Sequence, residues 1–178
     1  MENIVKKIKF TFLGLLLSLL CCSSQAMAID VYGFGSYWEK GDVEGTWGTG
    51  IGVSLPFIID ALRIDGRAHY FADSDYGRDE ITVTPFDLGA QLHLMPESTF
   101  DPYVLGGISY NYVDAKQLSL DSTFGGYLGV GADIELGSSL FKLFGEVLYR
   151  FSDLDDIDGH NLDASGITAN IGLKFHFF

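Results

Sequence analysis

The stretch "LRIDGRAHYF", residues 62–71, alternates without a break. Arg63, Asp65, Arg67 and His69 fall on one side of an extended chain. Leu62, Ile64, Gly66, Ala68 and Tyr70 fall on the other. A period of two marks a strand with two unlike faces. In a soluble protein the charged face meets water. In a membrane barrel it lines the lumen, and the apolar face meets lipid. Which face is inside decides both the architecture and the compartment.

The same alternation recurs along the chain. It predicts eight strands, near Asp30–Trp38, Trp47–Leu55, Leu62–Phe71, Ile81–Leu94, Tyr103–Tyr112, Phe124–Leu136, Phe141–Phe151 and Gly166–Phe177. The apolar phase is clearest late, in Leu128, Val130, Ala132, Ile134 and in Ile167, Ala169, Ile171, Leu173, Phe175, Phe177. The fourth strand is irregular: Ile81 and Val83 sit out of phase with Phe86, Leu88 and Ala90, and Pro85 at the switch predicts a bulge or a strand end. Connections alternate in length. "EKGDVEGT", "DSDYGRDE", "VDAKQLSLDS" and "SDLDDIDGHNLDAS" are long and mostly acidic, whereas "PFIIDA", "MPESTFDP" and "GSS" are shorter or less charged. Long loops at one end and short turns at the other suit an up-and-down barrel in an outer membrane.

Three features put the polar face inside. It is rich in glycine, at 48, 50, 52, 89, 107, 125, 129 and 131. Glycine weakens a solvated strand, but in a narrow barrel it leaves room for large side chains from facing strands. The same face carries Arg63, Arg67, Lys142, Arg150 and Lys174 against Asp65, Asp87, Asp133, Glu135 and Glu146. Five against five is the neutrality a sealed polar core requires, because buried charges must be paired. With Ser138-Ser139 as a tight turn, Glu135 falls opposite Lys142. Aromatic residues also gather at strand ends: Trp38, Trp47, Tyr70, Tyr112 and Tyr149 toward the loops, Phe57, Phe141, Phe175 and Phe177 toward the turns. Barrels carry such girdles at both membrane boundaries.

The first 28 residues read as a cleaved signal peptide: Lys6, Lys7 and Lys9, an apolar run from Phe10 to Cys22, and Ala26-Met27-Ala28 at the cleavage point. Leu20 stands where a lipoprotein signal at Cys21 would need a small residue. The domain expected to fold is therefore 29–178. It retains eight of the 11 basic and 23 of the 24 acidic residues, for a net charge of −15. That balance argues against nucleic acid as a partner. Both cysteines leave with the signal, so no disulfide is expected.

"DPYVLGGISYNYV", "GGYLGVGADIEL", "LFGEVLYRF" and "NIGLKFHFF" resemble the last four strands of small outer-membrane barrels. The likeness spans residues 29–178 and points to the eight-stranded OmpA-like and opacity-type superfamily. It implies export to the outer membrane, contact with its lipid and lipopolysaccharide, and insertion by the barrel-assembly machinery, which reads an aromatic carboxyl end. Leu173, Phe175 and Phe177 keep the lipid-facing phase of such an end, whereas Phe178 falls in phase with Lys174 and His176.

Candidate chemistry is sparse. The four loops hold 14 acids against Lys40, Arg78 and Lys116. The run "DLDDIDGHNLD", 153–163, partly matches a calcium loop, but Ile157 occupies the third ligand position, so solvated, self-repelling loops are expected. His160, Asp163 and Ser165 are the residue types of a lipid A-modifying enzyme, yet sequence proximity supplies no geometry. His69, His93 and His176 read as lumen residues on separate strands. The expectation is an all-β, eight-stranded antiparallel transmembrane barrel with a filled polar lumen. It is expected to be monomeric, without cofactor, metal or catalysis, and to have a structural or surface-interaction role. A narrow conduit for ions or small apolar molecules is the alternative, and a lipid A-modifying enzyme a second.

Overall fold

The computed structural model describes residues 29–40, 45–76, 79–96, 98–115, 123–137, 140–154, 162–163 and 165–177. The signal segment, His160, Phe178 and most of "DLDDIDGHNLD" lie outside them. Eight long strands are hydrogen-bonded into a closed barrel: β1 (Ile29–Lys40), β2 (Thr46–Phe57), β3 (Ile59–Tyr76), β4 (Asp79–His93), β5 (Phe100–Ala115), β6 (Thr123–Glu135), β7 (Phe141–Phe151) and β10 (Gly166–Phe177). Neighbours in sequence are neighbours in space, and every pair is antiparallel. β1 closes onto β10, with Ile29 opposite Phe177 and Lys40 opposite Gly166. The two-residue strands β8 (Asp153–Leu154) and β9 (Leu162–Asp163) form a separate small ladder. No helix occurs among the described residues.

Alternation is visible as two faces. Val31, Ile51, Val53, Leu88, Ile108, Leu128, Val130, Val147 and Ile171 are exposed on the outer wall, while Asp65, Arg67, Asp87, Glu146, Asn170 and Lys174 are buried within. An outside this apolar is unstable in water and suited to lipid.

Four expectations need correction. Pro85 does not end β4, which pairs with β5 in one register from Ile81–Ala115 to His93–Tyr103; the irregularity falls on the β3 side and beyond Pro85, between Phe71–Val83 and Ser74–Ile81. Val83 is simply an apolar residue facing inward, in phase with Asp87. Across Pro85, which has no N–H to donate, the β3–β4 register is kept from Ala68–Phe86 to Phe71–Val83. Trp38 does not belong to the girdle. It is buried in the lumen beside Phe71, at a ring distance of 5.3 Å, whereas Trp47, Tyr70, Tyr112 and Tyr149 are exposed outside. "DSDYGRDE" is not a long loop: Asp75 pairs with Glu80 and Tyr76 with Asp79, so the strands run on and leave residues 77–78 between them. The ladder is made by backbone groups, so a charged sequence can carry it.

The fourth correction is the β2–β3 connection, which is tighter than "PFIIDA" suggests. Phe57 pairs with Ile59 across Ile58, whose φ is +67°. A β-branched residue in this region is held against a cost of roughly 1–3 kcal/mol. The β6–β7 turn meets the same need with Gly137 at φ +70°.

Lumen-facing glycines sit against bulky neighbours. A Cβ at Gly131 would run into the Tyr103 ring, and one at Gly129 would lie 2.8 Å from the Leu148 Cα. Outward-facing Gly66 has nothing within 4 Å of the same point. Gly129→Ala is expected to lower the urea midpoint of the folded barrel by the equivalent of about 1–3 kcal/mol, because backbone must move. Gly66→Ala should leave the midpoint unchanged or slightly raised.

Candidate functional site

The lumen is the place where the fold gathers chemically capable groups. At its turn end, Arg63 on β3 pairs with Asp30 on β1, and His176 Nδ1 lies 2.5 Å from the other oxygen of Asp30. His93 Nδ1 lies 2.6 Å from Asp101, and Lys174 Nζ donates to Asp133 Oδ2 at 3.0 Å and stands 2.8 Å from its Oδ1. Lys174 also stands 4.7 Å from the centre of the Tyr103 ring and 5.0 Å from that of Phe144. Such cation–π contacts strengthen where water is excluded.

In the middle, the network crosses the barrel. Arg67 on β3 donates through Nε to Asp65 at 2.7 Å and through Nη1 to Glu146 on β7. Four steps around the sheet separate β3 from β7, so this pair joins opposite walls. Glu146 also accepts from Asn170 Nδ2 at 2.8 Å and from the Tyr103 hydroxyl at 3.1 Å. Asp65 accepts from the Tyr32 hydroxyl at 2.5 Å and from Gln91 Nε2 at 3.0 Å. Each carboxylate therefore has several donors, the condition under which burying a charge pair is tolerated.

Toward the loops, Arg150 grips Asp87 with both terminal nitrogens, at 3.0 and 2.7 Å. His69 lies 3.1 Å from Asp87, and Ser109, Asn111 and Ser152 continue the chain of hydrogen bonds. Aromatic and aliphatic groups fill the space between: Tyr32, Phe34 and Phe144; Tyr103, Leu105, Tyr127 and Leu148; and Trp38, Phe71 and Val83. The polar core is thus laced with apolar clusters.

Of the ten charged residues assigned to the lumen from sequence, Arg63, Asp65, Arg67, Asp87, Asp133, Glu146, Arg150 and Lys174 are buried. Glu135 and Lys142 face one another in register and are half-buried at the turn end. The five-to-five count omitted Asp30 and Asp101, both buried. Asp30 was in phase with Tyr32 and Ser36 and could have been read. Asp101 lay in what looked like a turn, because β5 starts at Phe100, earlier than expected. These two extra carboxylates are the ones that face His176 and His93.

The family model for the outer membrane protein beta-barrel domain matches residues 13–175. The chain belongs to this family. Solved structures with the same fold include Neisserial surface protein A, with a TM-score of 0.64 at 12% identity, covering 85% of this chain and 97% of that one. The N-terminal β-barrel domain of Pseudomonas aeruginosa OprF has a TM-score of 0.55 at 15% identity, covering 84% of this chain and 97% of that one. Ail, the attachment invasion locus protein of Yersinia pestis, solved with the heparin analogue sucrose octasulfate, has a TM-score of 0.54 at 13% identity, covering 85% of this chain and 99% of that one. A search of curated proteins finds no match. At these identities the likeness is one of fold.

The lumen pairs are shielded from bulk water by the closed sheet and by the apolar side chains on its outer wall. No group of three or more potential metal ligands occurs among the described residues. Ser165 accepts a hydrogen bond from the Ser152 amide at 3.2 Å, and its partners in the enzyme reading include His160, outside the described residues.

Asp87→Asn leaves the Arg150 guanidinium buried without its carboxylate. The urea midpoint is expected to fall by the equivalent of about 3–5 kcal/mol, the usual cost of breaking one side of a buried pair. Exposed Glu39 is the control: Glu39→Gln should move the midpoint by less than about 0.5 kcal/mol.

Proposed function

We propose that the protein is a closed outer-membrane barrel with a structural and surface-interaction role, acting through the segments that join its strands at the loop end. The observation that carries this reading is the Arg67–Glu146 pair, which reaches from one wall to the other at the middle of the lumen. Tyr32, Tyr103 and Tyr127 pack around it, and Trp38, Phe71 and Val83 fill the lumen nearer the loops. A conduit needs continuous polar space, and eight strands enclose little more than their own side chains. The lumen groups serve stability in this account, and no step of catalysis is assigned to them. The wall is covered by membrane lipid and the barrel works as a monomer.

Two structural neighbours carry surface or attachment in their names. A sulfated sugar such as the one bound to Ail is a poor guide to the ligand here, because the strand ends and connections at the loop end of this chain together hold 14 acids and three bases. Their field favours cationic partners and repels polyanions.

Reconstituted in planar bilayers, the protein should give no discrete conductance steps. Reproducible steps would overturn the closed barrel. Cells displaying the protein should retain more polylysine than cells lacking it, and replacing Asp153, Asp155, Asp156 and Asp158 with asparagine should remove the difference. Equal retention in all three strains contradicts the surface part of the proposal.

A further inference from the structure

The turn that joins β2 to β3 carries a large apolar side chain at its tip. Phe57, Ile58 and Ile59 are all exposed, with Ile58 at 85%. Its φ of +67° is a conformation that glycine or asparagine adopts freely and isoleucine does not. In the β6–β7 turn a glycine holds the corresponding conformation. The chain therefore keeps a large apolar side chain at the most exposed point of a turn, at a position where backbone geometry disfavours it. Water gives no reason for that choice, and lipid does.

We propose that the β2–β3 turn is embedded in the bilayer as a local anchor, so that the β2 side of the barrel wall and the tip of this turn form one lipid-facing surface. The occupant is membrane lipid, argued from continuity. Leu55 pairs with Ile64 and Pro56 with Arg63, and after a register shift Phe57 pairs with Ile59. On the β2 side the outward side chains Val53, Leu55 and Phe57 lead without a polar break to Ile58. On the β3 side Asp60 is exposed in the irregularity between Ile59 and Arg63, so the apolar surface reaches the turn along β2 and ends at this carboxylate along β3. The β4–β5 connection is the contrast. There Leu94, Met95 and Phe100 are exposed next to the strands, but Ser98 and Thr99 follow at the tip and the Ser98 amide donates to the Met95 carbonyl at 2.9 Å, which puts polar groups at the position that Ile58 holds in the β2–β3 turn. The proposal rests on membrane embedding of the barrel and is independent of what the loops bind.

The test is nitroxide labelling of the full chain, with Cys21 and Cys22 replaced by serine, in phosphatidylcholine–phosphatidylglycerol vesicles. Labels are placed by Ile58→Cys, Ile59→Cys and Ser98→Cys. Heat-modifiable gel mobility shows which variants have folded. Power-saturation EPR then compares access of oxygen, which concentrates in lipid, with access of a water-soluble nickel chelate. The label at 58 should be relaxed several-fold more by oxygen than by the chelate, with the label at 98 showing the reverse. If Ile58→Cys does not fold, the label at 59 carries the same expectation. Chelate access at 58 or 59 equal to that at 98 overturns the proposal, whether the turn is then in water or covered by another protein. Oxygen-dominated access at all three sites also overturns it, since nothing then distinguishes this turn.

Discussion

Arg67 reaches across the lumen to Glu146, and the rest of the barrel is arranged around the need to keep both charged groups satisfied. A guanidinium and a carboxylate inside a lipid-wrapped sheet have no bulk water to fall back on. Their pairing is supported on one side by Asp65, which accepts from Arg67 Nε and from the Tyr32 hydroxyl, and on the other by Asn170 and Tyr103, which donate to Glu146. The pair is long-range in sequence, 79 residues apart, and in space it ties opposite walls. Strand pairing alone would close the barrel. The transverse network is what makes its interior a solid.

Space for that network comes from glycine. Tyr32 lies over Gly52, Phe34 over Gly50, Phe71 over Gly48 and Tyr103 over Gly131, each a ring on one strand lying across a neighbour that has no side chain. The rings in turn flank the cations, with Arg67 5.7 Å from the Tyr32 ring centre and Arg150 5.7 Å from that of Trp38. Glycine, ring and cation form a layered unit repeated along the axis. This arrangement explains why a lumen with many charges is nevertheless impermeable in the proposed account, and why function is assigned to the connecting segments.

The alternation in "LRIDGRAHYF" was enough to say which residues share a face, and the outer wall follows it from Leu62 to Ala68. It did not say who meets whom. Arg67 stands opposite Asp87 in strand register, yet it bonds Asp65 and Glu146, while Asp87 is held by Arg150. Partners across a lumen depend on strand stagger and on the reach of long side chains, neither of which a period of two encodes. Trp38 misled for another reason. On β1 both faces are apolar, Val31 and Tyr37 outside and Tyr32, Phe34 and Trp38 inside, so residue type favoured a girdle while phase with Asp30 and Ser36 favoured the lumen. Phase was the better guide, as it was for Val83. The one-residue turn at Ile58 was not legible, because isoleucine is the residue least expected to hold a positive φ.

The most direct measurement of the central claim is a double-mutant cycle on Arg67→Leu and Glu146→Leu, read from reversible urea unfolding of the barrel in lipid vesicles. A transverse pair predicts that each single change costs about 3–5 kcal/mol and that the double change costs clearly less than their sum, leaving a coupling of about 2 kcal/mol or more. Additive losses, within about 0.5 kcal/mol, would mean that the two side chains do not support one another across the lumen.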